Sequence, residues 1–110
     1  MKLRGKTPNQ LICSDLKYCQ DFKDRMLGLL RGSNPHNLLF RTRFGVHTFF
    51  LKGPIDIVIL NENKRIVKIK KGLKPNRLFF WSPLFDYVLE LKAGTISKYK
   101  LRQGNLVVIE

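Results

Sequence analysis

Apolar and polar positions follow a helical period in the first third of the chain and a period of two thereafter. Tyr18, Phe22, Met26, Leu29 and Leu30 recur at helical spacing and predict one buried stripe. Ser14 or Asp15 can accept from the unpaired amides at the start of such a helix, and Gly32 can end it. A short strand over 10–14 precedes it, and 33–37 reads as a loop. From Leu38 onward, Leu38, Phe40 and Phe44 alternate with Leu39, Arg41 and Arg43, as in a half-buried strand. A second strand is predicted over 46–52, and Gly53-Pro54 breaks it from a third, 55–60. That third run is apolar at every position but Asp56, so it should be buried on both faces. A turn at 61–64 leads into a strand over 65–71. No element is assigned to the proline-containing 74–83. A strand over 87–91, a short helix within 94–99 and a last strand over 105–109 complete the chain. Many short strands separated by turn signals predict a mainly β fold, a compact sandwich or barrel-like arrangement with one N-terminal helix.

A chain of 110 residues supports one domain, 1–110, with 1–9 as a loose leading segment. The 44% hydrophobic and 26% charged content is that of a globular protein, which excludes extensive disorder. No apolar run approaches the ~20 residues of a membrane-spanning helix, so no membrane insertion is expected. Met1-Lys-Leu-Arg-Gly-Lys6 lacks the apolar stretch of a signal peptide, and the expected location is cytoplasmic. Cys13 and Cys19 fit no common zinc spacing and read as small buried hydrophobes.

Charge changes the picture more. Twenty-one Lys and Arg against eight acids give a formal +13, a field that attracts polyanions, nucleic acid among them. Between Glu62 and Asp86 stand Lys64, Arg65, Lys68, Lys70, Lys71, Lys74 and Arg77 with no acid among them. Strict alternation would put Lys64, Ile66, Lys68 and Lys70 on one face, successive members ~6.6 Å apart, near the phosphate spacing of an extended single strand. Lys71 and the aromatic run Phe79-Phe80-Trp81 lie close by, and basic strands beside aromatics are how single-strand binders hold backbone and stack bases. The plainer reading is a solvated outer strand whose lysines block edge pairing.

Asp56 is the foremost polar candidate. On a buried strand it either accepts backbone amides or pairs with Lys52 or an arginine, or else it serves as a base in a pocket. The structural role is favoured, because no second acid or nucleophile is near it in sequence. His47 shares a strand face with Phe49 and Leu51, and Lys52 falls on the opposite face. His47, Lys52, Asp56 and Arg77 are thus ligand-binding candidates. No catalytic residue set, metal-binding cluster or phosphate-cradling glycine loop is present in the pattern, and no cofactor is implied.

The motifs carry a resemblance as well. Gly28-Leu29-Leu30, Leu38-Leu39-Phe40, His47-Thr-Phe-Phe-Leu-Lys-Gly53, Pro54-Ile-Asp-Ile-Val58, Pro75-Asn-Arg77, Tyr87-Val-Leu-Glu-Leu-Lys-Ala-Gly94 and Gly104-Asn105 fall in one order at near-constant spacing. Together they resemble the domain-of-unknown-function 192 family over 24–108. The resemblance implies a small β-rich domain of unknown biochemical function. Family methionines are replaced by Leu30 and Leu51, tryptophans by Phe50 and Asn76, and a hairpin glycine by Lys64. Two residues are also missing between Lys52 and Pro54. These readings converge on a non-enzymatic binding or accessory module of unknown partner and oligomeric state. One alternative is single-stranded nucleic-acid binding over 64–77, through Lys64, Lys68, Lys70, Lys71 and Trp81. Another is an enzyme with a small pocket around Asp56, His47 and Arg77.

Overall fold

A computed structural model describes residues 1–6, 8–19, 37–43, 45–49 and 51–110. Its centre is β6 (Ile55–Leu60), in which every residue is buried. β6 lies between β7 (Ile66–Leu73) and β9 (Tyr87–Lys92), antiparallel to both. β4 (Leu38–Arg41) continues the sheet beyond β9, and the two-residue β3 (Lys17–Tyr18) closes that side in parallel with β4. The sheet is open, in the order β3-β4-β9-β6-β7, so its strands do not close into a barrel.

The sequence alternates across this sheet and builds a core on each face. Val58, Leu60, Leu39, Leu89 and Leu91 point to one side, where Leu3, Ile12 and Val107 meet them. Those three belong to a three-stranded antiparallel sheet of β1 (Leu3–Lys6), β2 (Asn9–Cys13) and β10 (Val107–Ile109). Ile96 of the short α1 (Thr95–Lys98) and Leu101 fill the same layer. Ile55, Ile57, Ile59, Leu38, Phe40 and Val88 point to the other side, against Val46, Leu73 and Trp81. There a ribbon of β5 (Gly45–His47) and β8 (Leu78–Phe80) covers them. Each apolar side chain so buried contributes roughly 1.5–3 kcal/mol, which is why the six-residue β6 can anchor both layers. The result is sandwich-like and mainly β.

The structure revises several expectations. β4 is buried on both faces rather than one, because Leu39 enters the first core while Leu38 and Phe40 enter the second. The helix predicted to begin at Ser14 or Asp15 does not begin there. Residues 17–18 are strand, with the Lys17 amide donating to the Asn37 carbonyl and the Cys19 amide to that of Leu39. Tyr18 is accordingly 42% exposed instead of heading a buried stripe, and Leu16 is buried. The rest of the predicted helix, including Phe22, Met26 and the Gly32 stop, lies outside the described residues. Leu3–Lys6 and Leu78–Phe80, where the pattern assigned no element, are strands. The turn into β7 places Lys64 at φ 64°, the left-handed region that favours the glycine it replaces. Its ammonium lies 3.9 Å from the centroid of the Tyr87 ring, a cation–π contact that offsets part of that strain.

Candidate anion-binding site

β7 is irregular at both ends, and its irregularities decide where the lysines point. Leu60 pairs with Ile66 but Ile59 pairs with Lys68, so one extra residue is inserted at Val67. Ile66 therefore packs in the first core and Val67 against the second. Lys68 and Lys70, opposite Ile59 and Ile57, share the second face. The predicted row of Lys64, Ile66, Lys68 and Lys70 does not exist. Lys71 belongs to the opposite side, where it lines a different cavity with Ile69, Ile96 and Leu101.

On the second face, Lys70, Lys74 and Arg77 rim a cavity of about 360 Å³ with Leu73, Leu78 and Phe79. The described residues place no carboxylate in salt-bridge contact with these three cations; their acids pair Arg4 with Glu110 and Arg41 with Asp86. Lys68 flanks the cavity, its ammonium donating to the Phe80 carbonyl at 3.2 Å and lying 5.1 Å from the Phe79 ring centroid. Alternation along β8 turns Phe79 inward, opposite buried Val46, and leaves Leu78 and Phe80 outward at 58% and 60% exposure. Gly45 is required opposite Phe80, because a Cβ there would sit 2.6 Å from the Phe80 ring and from the Phe79 carbonyl.

Thr48 holds the rim in place, and the pattern gave no hint of it. Its buried hydroxyl donates to the Lys74 carbonyl at 2.7 Å and accepts from the Arg77 amide at 2.8 Å. Its backbone carbonyl accepts from the Asn76 amide, and its own amide donates to the Arg77 carbonyl. One threonine thus pins all of 74–77, including Asn76 at φ 61°. The turn that carries two of the three cations is a fixed feature.

The remaining candidates lie elsewhere. Asp56, 1% exposed, spans three segments: Oδ1 accepts from the Gly72 amide at 2.8 Å, and Oδ2 from those of Gly94 and Ile96 at 3.1 and 2.9 Å. It caps α1, whose Gly94 supplies no side chain, and ties that helix to the end of β7. It pairs opposite Leu91 on the first face, and the cavity rimmed by Arg77 includes neither Asp56 nor His47. The structure does not bring those three side chains together. His47 is half-buried on β5, stacked on Phe49 with ring centroids 5.1 Å apart, and Lys52 is exposed in the following loop. Trp81 is only 7% exposed, and its indole donates to the Phe85 carbonyl at 2.7 Å. It cannot stack a base. The exposed ring of β8 is Phe80, whose backbone carbonyl accepts from Lys68. Burial first and the charge of Asp15 second push the Cys13 thiol up from its ordinary pKa, so it stays protonated and packs.

The family model of DUF192, an uncharacterised group, matches residues 4–109. The chain belongs to the DUF192 family. Relatives include a UPF0127 protein of Pyrococcus furiosus, 28% identical over 105 residues that cover 90% of each chain. A UPF0127 protein of Thermococcus kodakarensis is 28% identical over 99 residues, 84% of this chain and 62% of that longer protein. Among solved structures, a Novosphingobium aromaticivorans protein of unknown function superposes with TM-score 0.76 at 14% identity, covering 98% of this chain and 82% of that one. A Sinorhizobium meliloti protein whose description proposes transcription regulation superposes with TM-score 0.73 at 21% identity over 97% and 89%. These two share the DUF192 fold. Among the described residues no helix is long and apolar enough to cross a membrane.

Proposed function

We propose that this DUF192 domain is a non-enzymatic binding module for an anionic ligand with an apolar or aromatic part, held at the Lys70–Lys74–Arg77 cavity. The supporting observation is three cations, unpaired with acid among the described residues, around a floor of Leu73 and Phe79. Bringing three like charges to one rim opposes folding, and an arriving anion relieves that repulsion. The apolar floor contributes what charge alone does not at physiological ionic strength. Asp56 is tied up in backbone hydrogen bonds, which speaks against the catalytic-pocket alternative.

An aromatic sulfonate such as anilinonaphthalene sulfonate is a suitable probe, since its anion and rings match the two halves of the cavity. Its fluorescence should rise with saturable binding near 150 mM salt, an ionic strength at which a Debye length of about 8 Å screens diffuse attraction. Lys74→Ala with Arg77→Ala should abolish the effect. Undiminished binding to that variant would remove the cavity as the site. The nucleic-acid reading has its own support in the exposed Lys68 of β7 and the exposed Phe80 ring of β8, one a cation for a phosphate and the other a surface for a stacked base.

A further inference from the structure

We propose that the occupant is a single-stranded nucleic acid that crosses the edge of β7 and seats phosphates in two cavities, one on each face of the sheet. The inference rests on the anion-site reading and adds a second site to it. β7 is the last strand of its sheet. Residues 102–106 cover only its beginning: the Ile66 amide donates to the Asn105 carbonyl, the Gly104 amide to that of Ile66, and the Gln103 side chain to that of Val67. Lys68, Lys70, Lys71 and Gly72 beyond are exposed. The two successive residues Lys70 and Lys71 serve different cavities. Lys70 joins Lys74 and Arg77. Lys71 joins Lys100 and Arg102 around a second cavity of about 350 Å³ floored by Ile96 and Leu101. Six cations thus flank one exposed stretch of strand, and the described residues show none of them in salt-bridge contact with an acid.

This division selects the ligand. Duplex DNA has a persistence length of about 150 bp, so it cannot turn around a sheet edge between sites whose backbones are adjacent residues. A single strand bends at every nucleotide and can. Phe80 and Leu78, exposed on the outer side of β8, add apolar surface on which a base can stack, a use an acidic peptide does not have.

Fluorescence anisotropy with an oligothymidylate of about 12 nucleotides, within the span single-strand binders cover, tests this near 150 mM salt. Lys74→Ala with Arg77→Ala, and separately Lys100→Glu with Arg102→Glu, should each weaken binding by roughly tenfold or more. Each should also flatten the log–log salt dependence by about 0.7 for every phosphate no longer neutralised. All four side chains are exposed, and a thermal melt checks that each variant folds. A duplex of equal length and a polyglutamate should compete poorly. If the Lys100→Glu, Arg102→Glu variant binds the oligothymidylate normally, or if duplex or polyglutamate competes equally, the crossing strand is wrong. If the sulfonate probe binds and the oligomer does not, the inference fails while the anion site stands. If neither binds, both fail.

Discussion

Asp56 shows how one side chain can look like chemistry and be architecture. A buried carboxylate without partners would be severely destabilising, yet here three backbone amides satisfy it, from residues 16, 38 and 40 positions away. Asp56→Asn keeps the shape but replaces one acceptor oxygen with an amide nitrogen. That nitrogen must face either the Gly72 amide or the pair from Gly94 and Ile96, donor against donor. We expect a loss of roughly 1–3 kcal/mol, the range for an unsatisfied buried donor, measured as a lower denaturant midpoint at constant slope. Asp56 holds the Gly72 amide in the wall of the Lys70–Lys74–Arg77 cavity but makes no hydrogen bond to the three cations, so probe binding by folded Asp56→Asn, with the amide oxygen turned to Gly72, should be unchanged. An Asn variant of normal stability with weakened probe binding would return Asp56 to the site. The pattern revealed that Asp56 was buried, because its neighbours are apolar on both faces. It could not reveal the amides, which come from β7 and α1 and meet only in the fold.

At the scale of elements, legibility followed the strength of periodicity. β6 and β9 were readable because unbroken apolar runs between turn signals have few other homes. Ile57, Val58, Ile59, Val88, Leu89 and Leu91 are indeed at most 1% exposed. β8 was not readable, since a three-residue strand with two exposed apolar side chains beyond Pro75 violates the hydrophobic-in rule. Missing β8 misassigned the aromatics: its alternation turns Phe79 in and Phe80 out, and Trp81 falls beyond its end into the core. The bulge at Val67 defeated the lysine row in the same way, because one inserted residue reverses every facing after it. Thr48 is the element-scale feature that most directly serves the proposed site. Thr48→Val removes the hydroxyl but keeps the branched shape, leaving the Arg77 amide and Lys74 carbonyl without that partner. Stability should fall by roughly 1–3 kcal/mol, and affinity for the sulfonate probe should fall with it as Lys74 and Arg77 lose their fixed positions. Melts and titrations on the same sample separate the two effects. Full affinity in a destabilised variant would show that the 74–77 turn needs no anchor to bind.

Across the whole molecule the dominant fact is an unbalanced charge of +13 within 36 × 27 × 23 Å. At 0.01 M salt the Debye length is about 30 Å, so nearly every cation feels every other; at 0.1 M it is about 10 Å, and only near neighbours interact. Among the described residues the Arg4–Glu110 and Arg41–Asp86 ion pairs are partly exposed and worth little, and over the whole chain 21 cations outnumber 8 acids. Repulsion therefore dominates, and the melting temperature should rise as sodium chloride increases over that range. Inorganic triphosphate should raise it further at matched ionic strength, because an anion seated at Lys70, Lys74 and Arg77 binds the folded state in preference to the unfolded one. That extra increment should vanish in Lys74→Ala with Arg77→Ala, while the sodium chloride effect persists at nearly its full size, since two charges of a large excess are gone. A melting temperature that falls with salt would mean that ion pairs, not repulsion, govern the electrostatics of this fold. An extra increment that survives in the variant would mean that triphosphate acts on the field as a whole, and that the cavity is not where anions settle.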